Sequence, residues 1–308
     1  MNAPVSLARV DLIGVDALRA LEPGAGEIAA IFRRSLYIRS GEAWACVGTP
    51  EIGAGPLNIV TDLRCDWSAM VSLGQSVSVD DRRLRIGVLA LDLAGASVWS
   101  PPPFPDWDPA RAEEGLAHLD GLLGAHSAPV EGLGCFAAAV PEPVSLEARA
   151  AAPLVARLSR WAAEGGGGDP EAVPLLGLGP GLTPSGDDFL AGFMAGLHAI
   201  HAFELRDSLW RTLVPPLAHA TGPISRAHLE CAAKGRLAER QHLILNAILA
   251  ADADAIGVAL AVLAGDEHTS SWDGLAGIAS ALRAILAGVD RPDERGSCNR
   301  ALQLHTTR

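Results

Sequence analysis

The residues best suited to chemistry lie in one stretch, residues 177–192, which reads GLGPGLTPSGDDFLAG. Three glycines at alternate positions precede Thr183 and Pro184, a pair that favours a helix start because threonine caps helices and proline fits their first turn. Asp187 and Asp188 follow in the first helical turns. A flexible loop that enters a helix presents free amides and the positive end of the helix dipole. The segment therefore predicts an anion site, at which the two aspartates could hold a bridging cation such as Mg²⁺.

A purely structural interpretation of this segment stays open. Aspartate in a first helical turn compensates the helix dipole. Gly192 and Gly196 lie four residues apart and allow close helix packing, while Phe189, Phe193 and Leu197 have the spacing of a buried stripe. Glycine within a helix, however, destabilises it by about 0.5–1 kcal/mol relative to alanine. Such a concentration of Gly, Thr, Ser and Asp residues therefore requires a local reason.

A second copy of the motif occurs at residues 268–277, which read HTSSWDGLAG. Both copies contain Thr-x-Ser-x-Asp followed by Leu-Ala-Gly, and both lie at predicted helix starts. We hypothesise that the two starts face each other and share one ligand, with Asp273 helping to hold an ion or orient a donor. The hydroxyls that would bind a phosphate or carboxylate are those of Thr183, Ser185, Thr269 and Ser270. Ser270 and Asp273 also have the spacing of a capping box, which leaves a structural role open.

Few other residues stand out as candidates for chemistry. His268 stands immediately before the predicted cap of the second helix and could act as acid or base near neutral pH, although a solvated loop histidine is the simpler description. His198 and His201 have a spacing that permits two metal ligands, but no third ligand is evident. Ser225 lies at a third turn into a helix, beside Arg226. The chain contains no Gly-x-Ser-x-Gly, Walker A lysine or His-Glu-x-x-His motif, so no motif supports hydrolase chemistry of the Ser-His-Asp type.

Composition restricts the class of protein. The formal net charge of −12 and the absence of a Lys/Arg run disfavour nucleic acid as a partner. Five cysteines without a Cys-x-x-Cys pair predict free thiols in a reducing compartment. The N-terminus lacks a signal-peptide profile, and Asp252 and Asp254 interrupt the most apolar stretch, around 243–264, so we expect a cytoplasmic protein without a membrane span.

The order of predicted elements indicates an α+β fold, with an N-terminal β-rich lobe followed by a C-terminal mostly helical lobe. Predicted strands are Ser35–Arg39, Trp44–Val47, Leu57–Thr61, Gln75–Val79, Leu84–Val88 and Ala96–Ser100. Helices are predicted at 109–123, from Pro153, from Pro184, and at 206–218, 225–234, 237–250, 253–263 and 271–286. The predicted boundaries give a β-rich lobe at 1–105, a helical lobe with the Gly-rich loop at 106–289, and a flexible tail at 290–308.

Residues 177–192 resemble the signature of a bacterial family long catalogued as a domain of unknown function, which includes the AllH-type subunit of oxamate carbamoyltransferase. The segments 224–235 and 268–277 also fit this family, and the resemblance spans roughly residues 30 to 288. Two positions depart from the family pattern, because Glu267 and Ser271 stand where it has glycine. These departures could alter how closely a ligand approaches that turn.

The resemblance implies a role in purine (allantoin) catabolism or a related pathway. There a multi-subunit enzyme moves a carbamoyl group between oxalurate and phosphate, which gives oxamate and carbamoyl phosphate. It also implies FdrA-like and AllG-like partner subunits. This chain lacks the Ser-x-Arg-Thr loop of the classical transcarbamoylases, so any such activity must use a different site.

The motif and the resemblance agree on a site for small anions, where positioning and charge stabilisation would do most of the catalysis. The catalytic candidates are Asp187, Asp188 and His268, of which the two aspartates are also the candidate metal ligands. The candidate anion-binding residues are Gly177, Gly179, Gly181, Thr183, Ser185, Gly186, Ser225, Thr269, Ser270 and Asp273. Two alternatives stay open: a non-catalytic scaffold or ligand-sensing subunit, and a stand-alone enzyme acting on phosphorylated substrates.

Overall fold

A computed structural model describes residues 6–124, 126, 128–265 and 269–289 of the chain. The chain divides into two compact units, with the boundary between Pro102 and Pro103. The first unit is built from strands and the second from helices, so the predicted α+β class is confirmed. The predicted tail at 290–308 and the candidate His268 lie outside the described residues.

The strand unit is a closed barrel. Its strands, among the described residues, are β1 (Ser6–Gly14), β2 (Gly24–Ile31), β3 (Ser35–Ser40), β4 (Ala43–Gly48), β5 (Asn58–Thr61), β6 (Ser76–Val79), β7 (Arg83–Ile86), β8 (Leu89–Asp92) and β9 (Ser97–Trp99). They pair in the order β5-β4-β3-β2-β6-β7-β8-β1-β9, and a further pairing of β5 with β1 closes the ring. Alternation places Val77, Val79, Leu84 and Ile86 inside the barrel, as expected for strands with one buried face.

All six predicted strands are found, with ends shifted by one or two residues, and the predicted β6–β7 hairpin is antiparallel. Three strands were missed: β1, β2 and β8. Two of the first three residues of β2 are glycines, which are poor strand formers, yet Gly26 is needed because an added Cβ would lie 2.4 Å from the Arg39 carbonyl oxygen. β8 has three buried residues in a row, so it shows no alternation.

The helical unit contains eight α-helices among its described residues. They are α1 (Pro109–Leu123), α2 (Leu146–Ala163), α3 (Ser185–Ala199), α4 (Phe203–Ala220), α5 (Pro223–Ala232), α6 (Glu239–Leu249), α7 (Ala253–Ala264) and α8 (Ser270–Val289). Most predicted starts are shifted: α4 begins three residues before the predicted 206, and α5, α6 and α8 begin one or two residues away from their predicted starts. α2 begins before Pro153 because the Ser145 hydroxyl caps it at the Ala148 amide, 3.0 Å away. α3 begins one residue later than predicted, with Pro184 as its N-cap and no cap from Thr183.

Helices α3 and α8 pack backbone against backbone. A Cβ added at Gly192 would lie 1.9 Å from the Gly274 carbonyl oxygen, and one added at Gly277 would lie 2.0 Å from the Phe189 carbonyl oxygen. The two Leu-Ala-Gly repeats therefore supply the glycines for one close helix crossing. Because Phe189 meets Gly277 and Gly196 meets Ala281, the helices run in the same direction and begin at the same end.

The only helix of the described chain that is long and apolar enough to cross a membrane is α8, by length and composition alone. Its apolar window is, however, 72% buried within the protein. The apolar character of α8 is thus explained by its place in the helical core, where it packs against α3.

We predict that Gly192→Ala destabilises the helical unit, by about 1–3 kcal/mol or more, because the new methyl group would overlap the α8 backbone. Gly121→Ala is the matched control. Gly121 lies in α1 with open space around it, so alanine there should raise the free energy of unfolding by up to about 1 kcal/mol. Urea unfolding followed by circular dichroism measures both. Equal stability of Gly192→Ala and the unmodified protein would contradict the close crossing.

Candidate functional site

The starts of α3 and α8 lie side by side. The Thr183 and Ser270 hydroxyl oxygens are 3.1 Å apart and share a hydrogen bond. The hypothesis that the two copies of the motif face each other is therefore supported by their geometry. Each helix N-terminus carries about half a positive charge, so two such ends together create a strong local preference for negative groups. Three carboxylates occupy these first turns: Asp187, Asp188 and Asp273.

Asp187 fixes the Gly-rich loop to a third helix start. Its Oδ1 accepts the Gly177 amide at 2.9 Å, and its Oδ2 accepts the hydroxyls of Ser225, at 2.6 Å, and Thr221. Ser225 is in the first turn of α5, and Thr221 lies two residues before that helix begins. Gly177 has a φ of +72° and an added Cβ there would lie 2.2 Å from the Ala220 carbonyl oxygen, which requires glycine. Asp187 thus connects the loop, α3 and α5.

Asp273 performs the equivalent task for another loop. Its Oδ1 accepts the Leu133 amide at 2.6 Å, and the residue is fully buried. Gly132 has a φ of +76°, and an added Cβ there would lie 2.6 Å from Asp273 Oδ1 and 3.1 Å from the Ser185 hydroxyl oxygen. The hydroxyls of Ser185 and Thr269 also face the Asp273 carboxylate and act to lower its pKa. Asp273 therefore holds residues 132–134 against both helix starts.

The two copies of the motif hold loops of the same sequence in a similar way. Gly-Leu-Gly occurs at 177–179 and again at 132–134, and each loop donates a backbone amide to the Asp of one Thr-x-Ser-x-Asp motif. The repeat of Gly-Leu-Gly was the available signal for the second loop, which our sequence analysis missed. It also missed Gln241, whose side chain lies against the start of α8: its Nε2 would lie 2.0 Å from a Cβ added at Gly274.

Asp188 has no counterpart in the second copy, where Gly274 stands in its place. Thr183 and Ser270 face its carboxylate, and both act to lower its pKa. Its Oδ2 is buried and has no hydrogen-bond partner among the described residues, and the same holds for Asp273 Oδ2. Asp187 and Asp273 each bind a backbone amide and are buried, whereas no described backbone amide binds Asp188, which is partly exposed. Asp188 is therefore the carboxyl group most accessible to a ligand.

Burial raises the pKa of all three carboxyl groups. For Asp188 the pKa lies well above the ordinary value, because burial is reinforced by the negative charge of Asp273. Burial also raises the pKa of Asp273 to about 6, against the opposing hydrogen bond from the Leu133 amide. For Asp187 the rise caused by burial is opposed by Ser225, Thr221 and the Gly177 amide. A carboxyl group at this site can therefore hold a proton closer to neutral pH than an exposed one.

The Gly-rich loop keeps part of its backbone available. The Gly186 amide donates to the Leu178 carbonyl oxygen at 2.9 Å, and the Gly177 amide donates to Asp187. These two of the predicted anion-binding residues therefore offer no free amide. No hydrogen bond to another described residue is made by the amides of Gly179, Gly181, Leu182 and Thr183. This segment is half-buried to exposed, and it adjoins the helix start.

The remaining candidates from the sequence are the possible metal ligands. His198 is not arranged as a metal ligand, because its Nδ1 is 2.6 Å from Arg206 Nη1 and burial lowers its pKa to about 4. His201 stacks near Phe203. Within the described part of the chain, no three His, Cys, Asp or Glu side chains form a group that could hold a metal ion. Mg²⁺ at Asp187 is poorly matched, since three protein donors already bind its carboxylate.

The raised pKa of Asp273 makes the stability of the protein depend on pH. An unfolded Asp273 titrates near 3.8 and the folded one near 6. The folded state thus prefers the protonated form, and stability is lost as pH rises from about 4 to about 6. At pH 7 this loss amounts to about 3 kcal/mol at most.

We predict that Asp273→Asn raises the free energy of unfolding by about 1–3 kcal/mol at pH 7 and changes it little at pH 4. Asparagine keeps an acceptor oxygen for the Leu133 amide but carries no charge. Urea unfolding at both pH values measures the effect, with the exposed Asp254→Asn as control. Destabilisation of Asp273→Asn at pH 7 would show instead that the ionised carboxylate holds the Gly132 loop.

Comparison with known protein families finds a match for part of the chain. Residues 175–282, 108 of the 308, match the model of the family described as oxamate carbamoyltransferase subunit AllH. The matched segment contains both helix starts and all three aspartates, and it ends within α8. No curated protein and no solved structure matches the chain. The family resemblance predicted from the sequence is therefore confirmed: over residues 175–282 this chain is similar to the AllH subunit of oxamate carbamoyltransferase.

Proposed function

We propose that this chain is a subunit of a carbamoyl-transfer enzyme that acts on small anionic metabolites of the oxamate, oxalurate and carbamoyl phosphate type. The ligand site is the joint start of α3 and α8. The observation that carries the proposal is Asp188, whose buried Oδ2 lacks a partner among the described residues at the point where two helix dipoles converge. The family match supports the reaction class and the role as a subunit.

The loop amides are suited to the anionic part of the substrate. Gly179, Gly181 and Leu182 precede the α3 start and make no hydrogen bond within the described chain, so their N–H groups can donate to phosphate or carboxylate oxygens. Positive φ values of +108° at Gly179 and +97° at Gly181 permit the turns that expose these amides. A free anion held here gains from the helix dipoles as well as from the hydrogen bonds.

Asp188 is suited to the carbamoyl part of the substrate. A carbamoyl group offers two N–H donors, and the unpartnered Oδ2 of Asp188 is an acceptor. The Thr183 and Ser270 hydroxyls beside it could orient the carbamoyl oxygen. The site would thus receive a molecule with an anionic end and an amide end, as in oxalurate and carbamoyl phosphate, and would use its own acidity to discriminate against simple anions.

The proposed reaction requires one proton to be placed. An oxygen of hydrogen phosphate attacks the carbamoyl carbon of oxalurate, the bond from that carbon to the oxamate nitrogen breaks, and the nitrogen gains a proton, while the proton that the phosphate loses restores the donor. Burial and the neighbouring Asp273 raise the pKa of Asp188, so its carboxyl group can carry that proton near neutral pH. Asp187 acts by positioning the loop, since its oxygens are bound by Gly177, Thr221 and Ser225.

Several further parts of the proposal rest on the family resemblance. The partner subunits would be FdrA-like and AllG-like proteins, the pathway would be purine catabolism, and the location would be the cytoplasm. His268 or Ser270 would assist proton movement. Neither nucleic acid nor a membrane is part of the proposal, and Mg²⁺ would enter, if at all, with the phosphate group of the substrate.

We predict that Asp188→Asn lowers the rate of carbamoyl transfer at least 100-fold, the usual range for loss of a general acid, while subunit assembly is unchanged. The rate is measured as oxamate release from oxalurate and phosphate by the assembled complex, and assembly by size-exclusion chromatography. Asp254→Asn is the matched control, since Asp254 lies in the first turn of α7 but is exposed. It should retain the full rate.

The isolated chain provides a second measurement that needs no partner. Carbamoyl phosphate should raise its melting temperature, because a ligand that binds the folded state stabilises it by mass action, and Asp188→Asn should keep only part of the shift, because asparagine retains one acceptor oxygen for the carbamoyl N–H groups. A normal rate in Asp188→Asn would identify a scaffold or sensing subunit. A response to ATP but not to carbamoyl phosphate or oxamate would instead favour a stand-alone enzyme for phosphorylated substrates.

A further inference from the structure

The strand unit contains a cleft of about 480 Å³ lined by three arginines. Arg33 and Arg34 come from the turn between β2 and β3, and Arg64 follows β5. The volume is within the range of small-molecule sites, roughly 300–1,000 Å³. This cleft lies wholly within the first unit and has no part in the site proposed above.

The backbone around the cleft is fixed by the barrel. The Arg33 carbonyl oxygen accepts the Trp67 amide at 3.0 Å, and the Arg34 carbonyl oxygen accepts the Thr49 amide at 3.0 Å. Trp67 is completely buried. The two arginines are thus tied to the segments that follow β4 and β5, which supply the other lining residues. Only side-chain rotation is needed to direct the guanidinium groups at a ligand.

The cleft is a positive feature of an acidic protein. Residues 1–102 contain nine arginines, eleven acidic residues and no lysine, and three of those arginines meet here. Two acidic residues share the cleft: Glu51, whose carboxylate is 2.9 Å from Arg64 Nη1, and Asp66, whose pKa is lowered by its contact with Ser68 and also by Arg33. Three guanidinium groups against two carboxylates leave one positive charge in excess.

We propose that this cleft binds a small oxyanion, a metabolite that carries a phosphate or a carboxylate group. Guanidinium groups bind both by paired, parallel hydrogen bonds. Thr49 supplies an independent reason, because it lines the cleft, is 2% exposed, and its hydroxyl oxygen makes no hydrogen bond of acceptable geometry within the described chain. That hydroxyl is close enough to Glu51 to lower the pKa of its carboxyl group, and it can donate to an oxyanion bound beside the arginines.

Cys65 is a built-in reporter of occupancy. It lines the same cleft and is partly exposed. Cys135 is also partly exposed but belongs to the helical unit, so it serves as the internal control. A bound oxyanion covers the Cys65 sulfur and disfavours its thiolate, the form that reacts with iodoacetamide. Peptide-level mass spectrometry therefore reads ligand binding at this cleft alone.

The experiment follows alkylation of both cysteines in inorganic phosphate, in oxamate, and in sodium chloride of equal ionic strength. We expect phosphate or oxamate to slow modification of Cys65 at least fivefold at saturation while Cys135 is unaffected. The more effective of the two anions identifies the ligand group. Arg33→Gln combined with Arg64→Gln should abolish the protection, and Arg39→Gln, which removes an exposed guanidinium paired with Glu27 in the same barrel, should retain it.

Protection that persists in the Arg33/Arg64 variant, or equal protection by sodium chloride, would overturn the proposal, as would the absence of protection by either anion. If the double variant fails to fold, Arg64→Lys replaces it, because Arg64 is largely exposed and lysine keeps the charge but not the paired hydrogen bonds. Asp188→Asn should leave Cys65 protection unchanged, so failure here and failure of the carbamoyl-transfer proposal are separate results.

Discussion

The close crossing of α3 and α8 is the constraint on which the candidate site depends. Gly192, Gly274 and Gly277 let the two backbones touch, and the parallel direction of the helices then brings both N-termini to one end. Two positive dipole ends side by side repel each other unless negative groups lie close by. The acidic residues at this end thus have a physical origin in the packing, before any ligand is considered.

That origin separates the three aspartates by role. Asp187 and Asp273 are both used by the fold, since each binds a loop that begins with Gly-Leu-Gly. Asp188 is not needed for this purpose, and the second copy of the motif manages with Gly274 in its place. A buried carboxylate oxygen without a partner destabilises the protein. Because Asp188 lowers stability under these conditions, we expect it to have a function, and ligand recognition is the simplest one.

Sequence reasoning found the candidate site because its signals are local. The Gly-rich segment, the duplicated Thr-x-Ser-x-Asp and the Leu-Ala-Gly repeats lie within short windows, and so do the regularly alternating strands such as β6 and β7. It failed where tertiary contacts decide. The partnership of Asp273 with Leu133 joins residues 140 positions apart, and only the repeat of Gly-Leu-Gly signals it. β8 is buried without alternation, so no local pattern marks that strand. Thr183 was predicted as a helix cap, yet its hydroxyl turns to Ser270, a residue of the other helix.

The distribution of charge in the site also determines what kind of ligand fits. Free amides at Gly179 and Gly181 attract an anion, whereas ionised Asp188 and Asp273 repel it, so a simple anion gains little unless a carboxyl group is protonated. Burial and the mutual repulsion of the two carboxylates favour that protonation. A ligand with an anionic end and an N–H end satisfies both halves at once, because the amides take the negative end and Asp188 takes the donor. Under the proposed function, the acidity that disfavours a bare phosphate therefore favours a carbamoyl compound.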